Sequence, residues 1–196
     1  MGDKRADGRI ESVRKGASMN TIEELATQAG FDCMGVCSAK DLVARDEVRS
    51  MCAANTCQMY EHSWACPPAC GEISEFQEMM NSYEHCLVVQ TVGQMEDDFD
   101  VETIEEAGAT QKERVAQLVE ALDAAGLSAQ TEVLSAGTCT VCPTCTYPNA
   151  PCRFPEKRLV SMEAAGLVVS EVCTKADIPY NHGSHTIAYS SCVLYN

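Results

Sequence analysis

The sequence predicts an α/β fold, a small mixed sheet flanked by helices, carrying two cysteine-rich loops. Segments with helical spacing of apolar residues alternate with short apolar runs bounded by turn residues, as expected of helices packed on a sheet. Eight of the thirteen cysteines fall into two sets of four on stretches that follow neither period, so those stretches are loops presented by the scaffold. A chain of 196 residues, 45% hydrophobic, can bury one good core. Residues 1–18 have charge without an apolar centre, so they are expected to be a mobile extension preceding a single domain over 19–196.

Taken in order, Thr21 and Glu24 resemble a capping box, followed by Ile22, Leu25, Ala26 and Ala29 at helical spacing and Gly30 as the stop. The run "FDCMGVC" (31–37) predicts a short buried strand, and Ser38 with Asp41 a second, weaker helix start. Residues 51–71 read as a cysteine loop, then Ile73, Phe76 and Met80 mark a helix and "CLVVQTV" (86–92) a buried strand. "MEDDFDVETIEE" is the solvated start of a helix whose clearest apolar face is Val115, Leu118, Val119 and Leu122, closed by Gly126. A third strand, "QTEVLSA" (130–136), enters the second cysteine loop. Residues 156–177 are expected to be helical with a break at Gly166, and 185–195 to form a closing strand.

Formal net charge is -15, which excludes an electrostatic grip on nucleic acid and favours basic partner surfaces. No apolar run approaches the ~18 residues needed to span a bilayer, and the first residues lack the hydrophobic centre of a secretory signal. These features predict a cytoplasmic protein without membrane contact. Clustered thiols in a reducing compartment are metal ligands or catalytic groups rather than disulfides.

The first set is Cys52, Cys57, Cys66 and Cys70, spaced C-x4-C-x8-C-x3-C; the second is Cys139, Cys142, Cys145 and Cys152, spaced C-x2-C-x2-C-x6-C. Four thiolates satisfy a tetrahedral zinc or a 4Fe–4S cluster. Zinc sites favour two separated knuckles, whereas the unbroken run of Cys139, Cys142 and Cys145 matches the ferredoxin-like wrap around three corners of a cube. Cys152 departs from that pattern: it lies seven residues on, and Arg153 follows it in place of proline. Pairing within each loop and an exchange of Cys70 and Cys152 between clusters both remain open. The reading is two 4Fe–4S clusters, with zinc as the alternative.

Among other candidates, Cys86 and Cys192 lie in apolar strands and are expected to pack as small hydrophobes. Cys33 and Cys37 share a strand face about 13 Å apart, too far for a disulfide, and could line a pocket near a cluster. Cys173 also stands outside both sets. His182 and His185, in "PYNHGSH", suit a solvated or capping role more than a metal site. Arg153, Lys157 and Arg158 either stabilise a reduced cluster or pair with Glu156 and Glu163, and "EKRLVSMEAAG" reads as a helix that packs the loop onto the sheet. Tyr60 and Trp64 either shield a cluster or belong to the core.

"WACPPACG", "YPNAPCRFPEKRLVSMEAAGLVV" and "HTIAYSSCVLY" resemble the predicted metal-binding family known as domain of unknown function 2284, from about residue 20 onward. The resemblance implies metal binding of the iron–sulfur kind, in anaerobic bacteria and archaea, and implies neither substrate nor reaction. Three function classes follow. The leading one is an electron-transfer protein or redox accessory of an anaerobic enzyme, docking a partner with a basic surface. The alternatives are an iron–sulfur enzyme with an open cluster site acting on a small molecule, and a zinc-binding interaction module.

Overall fold

The computed structural model describes residues 19–196, so the expected mobile extension over 1–18 lies outside the described residues. The α/β fold is present, built as three layers. Helices α1 (Met19–Gln28) and α4 (Val101–Ala124) cover one face of a four-stranded sheet. Helices α3 (Ile73–Asn81) and α5 (Val169–Lys175) cover the other, and α2 (Asp46–Ala53) carries the first cysteine loop. The strands are β1 (Cys33–Ser38), β2 (His85–Gln94), β3 (Thr131–Leu134) and β4 (Thr186–Tyr195), in the order β1-β2-β4-β3.

Among the described residues every strand pair is antiparallel, so the expected mixed sheet narrows to an antiparallel one, with one isolated parallel bridge between Ser135 and Ser161. Alternation along β2 and β4 explains the layers. Cys86, Val88, Cys192 and Leu194 enter the core beneath α5, while Leu87, Val89, Val193 and Tyr195 enter the core beneath α1 and α4. The apolar face of α4, Val115, Leu118 and Leu122, is buried there as its spacing predicts.

Four local expectations are corrected. Helix α1 begins at Met19, which places Thr21 inside the first turn rather than at a cap. Ser38 starts only one 3-10 turn, Ala39–Asp41; Leu42 leaves it in extended conformation because its side chain is drawn into the core. The first cysteine stretch is not wholly loop, since Met51, Cys52 and Ala53 form the end of α2. The helix expected over "EKRLVSMEAAG" is absent. Ser135 N donates to Val160 O at 2.8 Å and Met162 N to Ser135 O at 3.0 Å, so this segment runs extended beside the end of β3. A tight turn follows at Gly166 (φ +87°), where a Cβ would meet Ile73 and the Arg45 backbone within 3 Å. That turn buries Met162, Ala165 and Leu167 together.

The five remaining cysteines all belong to the α5 side of the sheet. Cys37, Cys86, Cys173 and Cys192 are buried in that core and Cys33 packs against it. Cys37 stands opposite Cys86 in the β1–β2 ladder. Cys86 and Cys192 are fully buried, as their strand positions predict.

Candidate metal centre

The first loop is anchored by one arginine. Cys52 sits in the last turn of α2, and Arg49, three residues earlier, shares its helix face. Arg49 Nη1 donates to Gly71 O at 2.9 Å, joining the start of the loop to its end, and its guanidinium lies 5.7 Å from the centre of the Phe76 ring. Between these points the chain coils tightly. Asn55, Gln58 and Glu61 all take positive φ, Asn55 Oδ1 accepts from Tyr60 N at 3.0 Å, and Glu61 N donates to Pro67 O at 3.0 Å. Two short turns then bring the later thiols inward: Cys66 N donates to Ser63 O, and Cys70 N to Cys66 O.

These four thiols form one electrostatic group. Burial pushes the Cys66 thiol up to about 11; a Ser63 hydrogen bond opposes the rise, and the nearby Cys57, Cys70 and Cys52 thiols add to it. Burial also raises Cys52 and Cys70, against the pull of the Arg49 guanidinium on each. Cys66 and Cys70 are buried, Cys52 is half-buried and Cys57 is exposed.

The second loop leaves β3 and runs over the surface, tied by its own bonds. Thr146 Oγ1 donates to Pro151 O, Ala150 N to Thr146 O and Arg153 Nη1 to Thr144 O, all between 2.8 and 3.0 Å. Cys139, Cys142, Cys145 and Cys152, all half-buried, line one pocket together with Ser63, Trp64 and Arg158. Cys152 therefore stands with its own loop rather than with the first. Cys145 is held below the ordinary thiol value. Burial acts against this, but N–H groups of Tyr147, Trp64 and Thr146 and the Ser63 hydroxyl outweigh it.

Trp64 fastens one loop to the other. Its indole Nε1 donates to Ala150 O at 3.0 Å, and its ring meets Tyr147 edge-on with centroids 4.9 Å apart. Arg158 Nη1 donates to Trp64 O at 3.1 Å. The shielding role considered for Trp64 has a structural counterpart in this seam, whereas Tyr60 stays within the first loop.

Among the described residues, no three Cys, His, Asp or Glu side chains already surround one point as ligands of a single ion. The surroundings nevertheless fit an anionic thiolate centre. Arg49 Nε and Nη2 and Arg158 Nε are buried with no hydrogen-bond partner among the described residues. A buried cation with unmet donors is costly, and four thiolates around a metal or cluster leave a net negative charge that would answer it. The residues present thus suit a thiol-bound metal group in both charge and donor type.

Other sequence candidates lie apart. His182 Nε2 is 3.0 Å from Gln90 Oε1, and His185 Nδ1 is 3.5 Å from an exposed Asp98 oxygen, so neither histidine joins a cysteine loop. The described ion pairs join neither Arg153 nor Arg158 to Glu156 or Glu163; both arginines instead bond to loop carbonyls. Lys157 is exposed. Sequence reasoning missed Arg49 and Ser63. Arg49 was detectable from its spacing to Cys52 on a helix, while nothing in the pattern marks Ser63.

The α/β scaffold thus holds two four-cysteine loops against each other. Residues 35–195 match the family model described as predicted metal-binding protein (DUF2284), and the chain belongs to that family. The match begins within β1, so α1 precedes it. No curated protein and no solved structure matches. Among the described residues no helix is long and apolar enough to cross a membrane.

Proposed function

We propose that the protein carries two 4Fe–4S clusters, one on Cys52, Cys57, Cys66 and Cys70 and one on Cys139, Cys142, Cys145 and Cys152, and serves electron transfer or assists an anaerobic redox enzyme. The observation that carries this reading is the seam between the loops: Trp64, between Cys57 and Cys66, bonds to Ala150, between Cys145 and Cys152. Two thiol sets held this way suit electron passage from one centre to the other. When bound, the clusters supply one-electron chemistry. The half-buried Arg49 and Arg158 provide positive charge beside Cys70 of the first set, and backbone N–H groups converge on Cys145 in the second. The net charge of -15 favours a redox partner with a basic docking face and disfavours nucleic acid. Free thiols in such numbers suit the reducing cytoplasm.

Anaerobic purification followed by iron, sulfide and zinc analysis tests the reading. About eight irons with matching sulfide are expected, since each cube holds about four. Brown colour that bleaches with dithionite should accompany them. A colourless protein containing zinc without sulfide would overturn the proposal in favour of a zinc-binding module.

A further inference from the structure

Cys37 and Cys86 stand directly opposite each other in the β1–β2 ladder. Both belong to the core on the α5 side of the sheet, so their side chains leave the same face. Directly opposed residues of an antiparallel pair have Cα atoms about 4.5–5.5 Å apart, within the span of roughly 4.4–6.8 Å that a disulfide bridges. Among the described residues the ladders set no other cysteine opposite a cysteine: Cys33 faces Gln90, and Cys192 faces Val88 and Leu134. Cys192 is only diagonal to Cys86 across β2 and β4, about 7–8 Å away, beyond that span.

The ring that this pair can close has a particular content. Residues 38–85 hold α2, all four thiols of the first set and α3. A bond between Cys37 and Cys86 therefore ties together the two ends of the segment that carries the first cysteine loop. Access to the pair is one-sided. β1 is an edge strand and Cys37 is 9% exposed, whereas Cys86, one strand further in, is 0% exposed. A small oxidant thus meets Cys37 first. We propose that Cys37 and Cys86 form a reversible oxidation site for hydroperoxides, closing into a disulfide that staples the segment around the first loop. The Cys37 thiolate attacks one peroxide oxygen and the O–O bond breaks, which leaves a sulfenic acid on Cys37 and, with a proton, one water from hydrogen peroxide. The Cys86 sulfur then attacks the Cys37 sulfur, gives up its proton, and the sulfenic oxygen leaves as a second water. The two thiols lose two electrons and the peroxide gains them; a small dithiol reverses the bond by exchange. Closing so long a ring restricts the unfolded chain, so the staple stabilises the fold whether or not metal is bound.

This site does not depend on the iron–sulfur reading. The full chain, Cys37→Ser and Cys192→Ala are purified anaerobically, exposed to limiting hydrogen peroxide, alkylated, digested without reduction and mapped by mass spectrometry. The unaltered protein and Cys192→Ala should yield a peptide joined through Cys37 and Cys86 that dithiothreitol separates, and Cys37→Ser should not. Dimedone added with the peroxide should trap sulfenic acid on Cys37 rather than on Cys86. Dithiothreitol should lower the melting temperature of the oxidised unaltered protein by about 5 °C or more beyond any fall in Cys37→Ser, whose loop thiols are the same. Absence of the joined peptide from the unaltered protein overturns the site, whatever the variants do. The joined peptide without the difference in melting overturns the staple alone.

Discussion

The two cysteine loops hold equal numbers of thiols in unequal surroundings. The first is closed by Arg49, buries Cys66 and Cys70, and raises its thiols by desolvation. The second lies on the surface, keeps all four thiols half-buried, and lowers Cys145 through converging N–H donors. Desolvation disfavours extra negative charge, whereas N–H donors favour it. Equal thiol counts therefore do not make equal surroundings. The first loop is the inner one, integrated with the helices; the second is the outer one and faces solvent.

The strongest way to break this contrast is to remove one thiol from each loop. Cys66→Ser should cost about half of the bound iron and also lower the melting temperature, because Cys66 is packed in the buried part of its loop. Cys142→Ser should cost a similar share of iron with little change in melting temperature. Equal thermal losses, measured by circular dichroism, would contradict the inner–outer distinction.

Thiol chemistry sharpens it next. In metal-free protein, iodoacetamide mapping by mass spectrometry should label Cys57 and the second set before Cys66 and Cys70. Raising the pH should bring in Cys145 first, since its thiolate is favoured, and Cys66 only as the pH approaches about 11. The sign for stability follows from linkage. Folded Cys66 keeps its proton above the pH at which an unfolded cysteine loses it, so metal-free stability should fall from about pH 8.5 upward and level off beyond about 11.

A smaller effect is expected from Arg49→Met, which removes the bond to Gly71 O and the charge beside Cys52 and Cys70. It should lower stability by about 1–2 kcal/mol in a denaturant titration and loosen iron at the inner site only. Smallest is Trp64→Phe, which keeps an aromatic edge but loses the bond to Ala150 O. About 1 kcal/mol is expected, with a measurable rise in hydrogen exchange at residues 145–152.

Much of the scaffold was legible because its signals are local. The apolar rows Ile73–Phe76–Met80 and Val115–Leu118–Leu122 lie on helices as their spacing predicts, 86–92 lies on a strand, and the strand expected over 185–195 runs from Thr186 to Tyr195. The misread segment after Cys152 shows the limit. Met162 and Ala165 are spaced as on one face of a helix, yet with Leu167 they are buried by a turn at Gly166, whose left-handed backbone packs against Ile73 and Arg45. The thiol sets were legible by number and spacing. The seam was not, because Trp64 meets Ala150 across 86 residues of chain.

Strand order carries a consequence for biosynthesis. Among the described residues β3, which leads into the outer loop, forms its ladder with β4 alone, and β4 in turn pairs along its whole length with β2 beside the inner loop's supports. β4 follows both loops in the chain. A nascent chain therefore displays all eight thiols before the strand that unites their supports has been made. The inner loop has its helices in place from residues before Asn81, but the outer loop must wait for Thr186–Tyr195 before β3 joins the sheet. A chain stalled ahead of β4 would thus leave β3, and the loop that follows it, without the strand that joins them to the sheet.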